Sequence, residues 1–94
     1  MLCLIVGFDE DFDQKKSQWT KETRGIDFIE AREVFSDPNE TIGPGTTKDG
    51  EERWLRIGIA KGKLWTVGYT LRQGLIRIFM VRPPHDDEKE AYND

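Results

Sequence analysis

The most basic stretch of the sequence is YTLRQGLIRIFMVR, from Tyr69 to Arg82, which contains three arginines and no acidic residue. The arginines are Arg72, Arg77 and Arg82. A guanidinium group donates forked hydrogen bonds to phosphate, so three of them on neighbouring strands indicate a phosphate-binding surface. The alternative interpretation is a solvated sheet edge of mixed charge that binds no ligand.

The basic character is local, because the whole chain has 18 acidic and 14 basic residues and a net charge of -4. Residues 48–82 carry eight basic and three acidic side chains, whereas the segments on either side are acidic. This balance argues against loose binding of nucleic acid, although a local basic surface can still hold phosphates.

Three apolar strands position the arginines: RWLRIGIA, KLWTVGYT and LIRIFMVR. Short turns at residues 61–63 and 73–74 join them into an antiparallel meander. A two-residue loop at Gln73-Gly74 pairs Thr70 with Arg77, and paired residues lie on the same face. A three-residue loop at residues 61–63 pairs Arg56 with Gly68.

This alignment predicts two different faces for the sheet. The open face combines arginines and aromatic rings with small residues, which leave a depression: Arg56, Arg72, Arg77, Trp54, Phe79, Gly58, Thr66, Gly68 and Thr70. The other face is apolar and predicts a core under helices: Leu55, Ile57, Ile59, Trp65, Val67, Tyr69, Leu71, Ile76, Ile78 and Met80. Alternation places Arg82 on the core side, emerging at the rim. Aromatic rings beside arginines favour stacking on unpaired nucleic-acid bases.

The N-terminal half predicts one strand and two helices. The strand is CLIVGF, residues 3–8, and the first helix follows it, with Asp13 as its N-cap and Gly25 at its end. Phe12 and Trp19 are expected in the core. The second helix is IDFIEAREVFSDP, in which Asp27 and Glu30 have capping-box spacing.

The remaining segments are less regular. Residues 39–52 predict a loop with at most a short strand at Thr41-Ile42, and the tail after Pro83-Pro84 predicts a short acidic helix. The expected fold is therefore a single α+β domain, residues 1–94, with the N-terminal strand and two helices packed on an antiparallel meander.

Several kinds of chemistry find no support in the sequence. His85 is the single histidine and Cys3 the single cysteine, so no zinc-ligand spacing exists, and no metal or cofactor is expected. A phosphate-binding GK[ST] motif is absent. A lone cysteine fits a reducing cytoplasm, and the apolar start is too short for a signal peptide or membrane span. The sequence thus predicts a cytoplasmic protein.

Three blocks of the sequence, in order, resemble the BrnT family of toxins from type II toxin–antitoxin systems. The first is FDQKKSQWTKETRGIDFIEAREVFSDP, the second is EER with Ile57-Gly58, and the third runs from Tyr69 to Arg82. Glu88 and Tyr92 match the C-terminal helix of the family. The resemblance covers roughly residues 12–92 and implies a RelE-like fold.

The resemblance also implies a function and a partner. The chain would be a metal-independent endoribonuclease that inhibits translation, and a BrnA-like, DNA-binding antitoxin would neutralise it in a hetero-oligomer. Arg72 and Arg77 would bind the scissile phosphate, with Arg56 and Arg82 on its neighbours. Glu52 or His85 would act as acid or base. RNA contacts would come from the following residues: Arg53, Trp54, Arg56 and Phe79.

The chain departs from the family pattern at three places. Thr20 replaces an asparagine, Thr23-Arg24 replaces Lys-His, and the usually basic stretch after the last strand is PPHDDEKE. The lost histidine removes one acid–base group, for which His85 or Arg24 could substitute. Two classes therefore remain open, a catalytic toxin and a non-catalytic domain that binds protein or RNA.

Overall fold

The computed structural model describes residues 7–93, without the side chains of Pro44 and Lys48, and has the predicted α+β class. Its elements, in chain order, are helix α1 (Gln14–Arg24), a 3-10 helix (Glu30–Ser36), strands β1 (Thr41–Lys48), β2 (Glu51–Ala60), β3 (Lys63–Arg72) and β4 (Leu75–Arg82), and helix α2 (Asp86–Asn93). The strands form one antiparallel sheet in the order β1-β2-β3-β4. The meander and the C-terminal helix are thus confirmed.

Strand β1 is longer than the expected short strand at Thr41-Ile42. It is eight residues long and pairs with β2 at six of them, and a register shift between Gly43 and Thr46 accommodates the proline and glycine between them. A two-residue turn at Asp49-Gly50, with φ of 54° and 80°, joins β1 to β2. Positive φ at both positions is typical of the tight turns that match the twist of paired strands.

The predicted register of the last hairpin is confirmed near its turn. Thr70 pairs with Arg77 and Arg72 with Leu75. Beyond Tyr69 a β-bulge shifts the pairing, so that Gly68 faces Met80 and Thr66 faces Arg82. Arg82 therefore lies on the face away from the core, and its predicted place on the core side is wrong.

The predicted register of the middle hairpin is wrong by one residue. The turn contains two residues, Lys61-Gly62, and pairs Arg56 with Val67 instead of Gly68. Because side chains alternate between faces, this single step moves every β2 side chain to the opposite face. Trp54, Arg56 and Gly58 therefore lie on the core face, and Leu55, Ile57 and Ile59 on the other.

The core lies between one face of the sheet and the N-terminal helical segment. It contains Phe12, Ile26, Phe28, Ala31, Val34, Ala60, Trp65, Val67, Tyr69, Ile76, Ile78 and Val81. Trp19 is not among them, because its side chain is 52% exposed, and Ser17 and Thr20 are the buried residues of α1. The buried stripe of the helix is thus rotated by one residue from the predicted one.

Local signals position both helical segments as predicted. The Asp13 side chain accepts a hydrogen bond from Lys16 N, and Gly25 ends α1 with φ of 84°. Asp27 and Glu30 form the reciprocal capping box, with distances of 3.0 and 2.7 Å. The helix after it is, however, of the tighter 3-10 type from Glu30 to Ser36.

The chain segment before α1 lies along the free edge of β4. Asp9 N donates to Ile76 O at 2.8 Å and Ile76 N to Gly7 O at 3.1 Å. Most of the predicted strand at residues 3–8 lies outside the described residues. Helix α2 packs on the face opposite the core, where the Thr66 hydroxyl donates to Glu88. Within residues 7–93, no helix is long and apolar enough to span a membrane.

Candidate phosphate-binding site

Basic side chains gather on the sheet face that is turned away from the core. We call the group formed by Arg53, Thr70, Arg72, Arg77 and Phe79 the basic face. Arg72 and Arg77 share this face, as predicted. Arg77 is the direct partner of Thr70, and Arg72 lies two residues after Thr70 on the same strand, so all three side chains point to one side. Arg53 joins them because it precedes Trp54, which lies on the core face.

Thr70 lies between two arginines in a row that crosses three strands. Arg77 is its direct partner on β4, and Arg53 lies beside it on β2, one residue before the Trp54–Tyr69 pair. Strands are about 4.8 Å apart, so the Cα atoms of Arg53 and Arg77 are about 10 Å apart. Two long forked donors can converge on one anion across that gap.

Phe79 is the extra residue of the β4 bulge and provides an aromatic surface beside the arginines. The Arg53 guanidinium lies 5.1 Å from its ring centroid and the Lys16 ammonium 5.8 Å. A Cβ atom added to Gly68 would be 2.8 Å from the Phe79 ring, so only glycine leaves room for it. The sequence did not predict Lys16 as a site residue, because its contact with Phe79 joins α1 to β4 and depends on tertiary packing.

A shallow depression of about 210 Å³ adjoins Phe79. Its lining is mostly apolar and comes from β1, β2 and β4: Thr46, Arg53, Trp54, Leu55, Phe79 and Met80. A depression with a ring and a guanidinium at its side suits the flat face of a nucleobase. Phosphate donors and a stacking surface therefore lie side by side.

Asp11 is the acid that contacts the basic face. Its backbone oxygen accepts a hydrogen bond from Arg77 Nε at 2.7 Å. Its carboxylate lies 3.6 Å from Arg72 Nη1, and the two side chains are 81% and 49% exposed. An ion pair this exposed is weak, so Arg72 can exchange Asp11 for a phosphate at little cost.

Arg82 lies at the other end of β4, about 16 Å from Arg77 at the rise of an extended strand. It donates two hydrogen bonds of 2.8 Å to the Glu88 carboxylate. The same carboxylate accepts from the Thr66 hydroxyl and from His85 N. Hydrogen bonds from Arg82 lower the pKa of Glu88 from 4.5 to about 2. Arg82 therefore binds α2 to the sheet.

Of the two predicted acid–base residues, His85 lies away from the arginine row, and Glu52 adjoins the row only at Arg53. His85 precedes α2 near Arg82, and its backbone oxygen accepts from Lys89 N in the first helical turn. Glu52 is exposed and lines two hollows, one of about 390 Å³ with Trp54 and Leu71 and one of about 170 Å³ with Thr46 and Arg53. The larger hollow also holds Glu51, and two carboxylates in one hollow repel phosphate.

Arg56 lies on the core face, so its predicted position on the open face is wrong. It forms an ion pair with Glu40, donates to the Tyr69 hydroxyl at 2.9 Å and lies over the Phe35 ring. Trp54 is half-buried and packs against the core. Arg56 therefore supports the fold instead of the basic face, whereas Trp54 packs against the core and also lines the depression beside Phe79.

Arg24, which stands where the family pattern has histidine, is bound at the end of β4. Its Nη1 atom donates to Val81 O at 2.6 Å, and its guanidinium lies 5.4 Å from the Trp19 ring centroid. An arginine remains protonated near neutral pH, so it cannot take over proton transfer from the missing histidine.

Fold and site together define a small α+β domain whose open sheet face presents arginines beside an aromatic ring. The family model described as the ribonuclease toxin BrnT of type II toxin–antitoxin systems matches residues 12–88, and the chain belongs to this family. Membership implies a cognate antitoxin protein as partner. No curated protein sequence matches the chain.

Proposed function

We propose that the chain is a RelE-like endoribonuclease that cleaves RNA without a metal ion and thereby inhibits translation, until a BrnA-like antitoxin binds it. The observation that carries this proposal is the row of Arg53, Thr70 and Arg77 across three strands, with Arg72 beside it. Membership in the BrnT family supports RNA cleavage as the reaction.

The basic face suits the charge that develops during RNA cleavage. Attack of the ribose 2′-hydroxyl on the adjacent phosphate produces a phosphorane with additional negative charge. Arg72 and Arg77 project from neighbouring strands on one face, so their guanidinium groups can donate to this charge when a phosphate takes the place of Asp11. Arg53 would donate to the same phosphate, and Phe79 would stack on the base of the neighbouring nucleotide.

Proton transfer is the part of the reaction that the basic face does not itself provide. Arginine stays protonated, and Glu52 and His85 lie on another face and at another end of the sheet. Among the described residues, Asp11 is the carboxylate that forms an ion pair with an arginine of the basic face, 3.6 Å from Arg72. It is therefore the candidate base with the best geometry.

The second candidate function is a non-catalytic domain that binds RNA or protein. The observation that favours it is Arg24, which replaces a histidine and is held by Val81 O. The acidic start of α2 adds to this, since it places Asp86, Asp87 and Glu88 in the first turn. These changes remove a proton-transfer group and basic charge while the fold remains.

Cleavage of a labelled single-stranded RNA in EDTA separates the two candidates. The proposal gives each charge-stabilising role to arginine, so we expect cleavage to continue in EDTA and to fail in Arg77→Ala. Induced expression of the wild-type chain should stop protein synthesis and shorten cellular RNAs. Intact RNA and normal growth at confirmed soluble expression would instead support the binding domain.

A further inference from the structure

Thr70 has a buried hydroxyl group without a partner. The residue is 3% exposed, and its Oγ1 atom forms no hydrogen bond within residues 7–93. Burying an unpaired hydroxyl opposes folding, so such groups call for an explanation. Thr66, on the same strand and face, shows the usual arrangement, because its hydroxyl donates to Glu88 at 2.9 Å.

A second unpaired donor lies next to Thr70. The Nε atom of Arg53 is also buried without a hydrogen-bond partner in the described part of the chain. Thr70 thus has an unpaired donor on β2 at one side and the guanidinium of Arg77 on β4 at the other. Donors from adjacent residues on three strands suit a ligand with several acceptor oxygens, and phosphate is such a ligand.

We propose that Thr70 is a phosphate-binding residue of this site, an inference that rests on the proposed function. Its hydroxyl and Arg53 Nε donate to one phosphate group of the RNA, and Arg77 donates to the same group from the other side. For this the Arg53 guanidinium shifts from its place 5.1 Å from the Phe79 ring centroid. The ring is then free to stack on the adjoining base.

The alternative is that Thr70 is only a β-branched residue that suits a strand. The two explanations differ for Thr70→Val, which keeps the shape and removes the hydroxyl. Removing an unpaired buried hydroxyl should leave the melting temperature unchanged or raise it. If the hydroxyl binds phosphate, the same substitution should weaken RNA binding about tenfold or more, the factor for a hydrogen bond to a charged group.

The test uses the full chain and a 2′-O-methyl RNA oligonucleotide, which cannot be cleaved and so reports binding alone. We expect weaker binding for Thr70→Val, near-normal binding for Thr70→Ser, and an undiminished melting temperature for both. Thr66→Val is the matched control. It should lower the melting temperature, because Glu88 loses a donor, while the folded protein binds the oligonucleotide as the wild type does.

The outcomes separate the two proposals. A wild-type chain that binds the oligonucleotide but does not cleave unmodified RNA contradicts the proposed catalysis and leaves the role of Thr70 supported if Thr70→Val binds weakly. Equal binding by Thr70→Val and wild type overturns the role of Thr70, and a wild type that does not bind overturns both.

A measurement on the wild-type chain covers the case in which Thr70→Val does not fold. The NMR signal of the Thr70 methyl group should shift on addition of the oligonucleotide. It should not shift with an uncharged methylphosphonate oligonucleotide of the same sequence. Equal shifts with both would overturn the proposal, because phosphate charge would then play no part.

Discussion

The structure makes a quantitative prediction for Glu88, the residue that joins α2 to the sheet. Its carboxylate is 8% exposed, and hydrogen bonds from Arg82 lower its pKa from 4.5 to about 2. One pH unit of such a shift corresponds to about 1.4 kcal/mol, so the ionised carboxylate contributes about 3 kcal/mol to the free energy of unfolding. Glu88→Gln should remove this contribution and leave Arg82 without its partner charge.

The sign of the pH dependence follows from the lowered pKa. The stabilisation is fully present above pH 4.5, where the carboxylate is ionised in both folded and unfolded chains, and is lost as the pH falls towards 2. Urea denaturation should therefore show Glu88→Gln less stable than wild type by about 3 kcal/mol at pH 7. This difference should shrink steadily between pH 4.5 and 2.5.

Glu90→Gln is the matched control, because Glu90 lies on the same helix and is exposed. It should change the free energy of unfolding by at most about 0.5 kcal/mol at each pH. A constant difference between wild type and Glu88→Gln from pH 7 to 2.5 would contradict the ionised pair. Arg82 would then be available for RNA, as the sequence first indicated, and its assignment to the fold would be wrong.

Three further predictions concern the basic face. Arg77→Ala should lower the rate of RNA cleavage about 100-fold or more, as removal of one donor to a developing oxyanion does. It should change the free energy of unfolding by at most about 1 kcal/mol. Arg77→Lys should also be impaired, because lysine keeps the charge but lacks the forked guanidinium donors. Wild-type cleavage by both would show that this hairpin is not the active site. Asp11→Asn should tighten binding of a non-cleavable RNA up to about fivefold at low salt, since Arg72 loses a weak competitor; a large loss of cleavage would identify Asp11 as the general base. Glu52→Gln and His85→Gln should leave the cleavage rate within about threefold of wild type, far from the roughly 100-fold or larger loss typical of a removed acid–base group, because Glu52 alternates to the other face and His85 follows the far end of β4. A loss of that size in either variant would restore its predicted acid–base role.

Features that depend on neighbouring residues could be predicted from the sequence. The caps at Asp13 and Gly25 and the capping box at Asp27 are formed by residues within one helical turn, whose types determine the local hydrogen bonds. The hairpin at Gln73-Gly74 is equally local. It brings Arg72 and Arg77 to one face, which is the part of the site that the sequence predicted correctly.

Features that depend on the register between strands were decided by the tertiary structure. A turn shorter by one residue moved Arg56 and Trp54 to the core, and a bulge at Phe79 moved Arg82 to the opposite face. The sequence contains no strong local signal for the turn length or for the bulge. The residues around Lys61-Gly62, for example, suit a two-residue turn and a three-residue loop equally well.

Arg53 and Thr70 show the same division between local and tertiary information. Their types are visible in the sequence, but that both carry unpaired buried donors beside Arg77 follows only from the packing of three strands. Because side chains alternate along a strand, a shift of one residue exchanges the two faces completely. The sequence alone therefore determined the helix caps, the last hairpin and one arginine pair, and strand register determined which other residues join that pair.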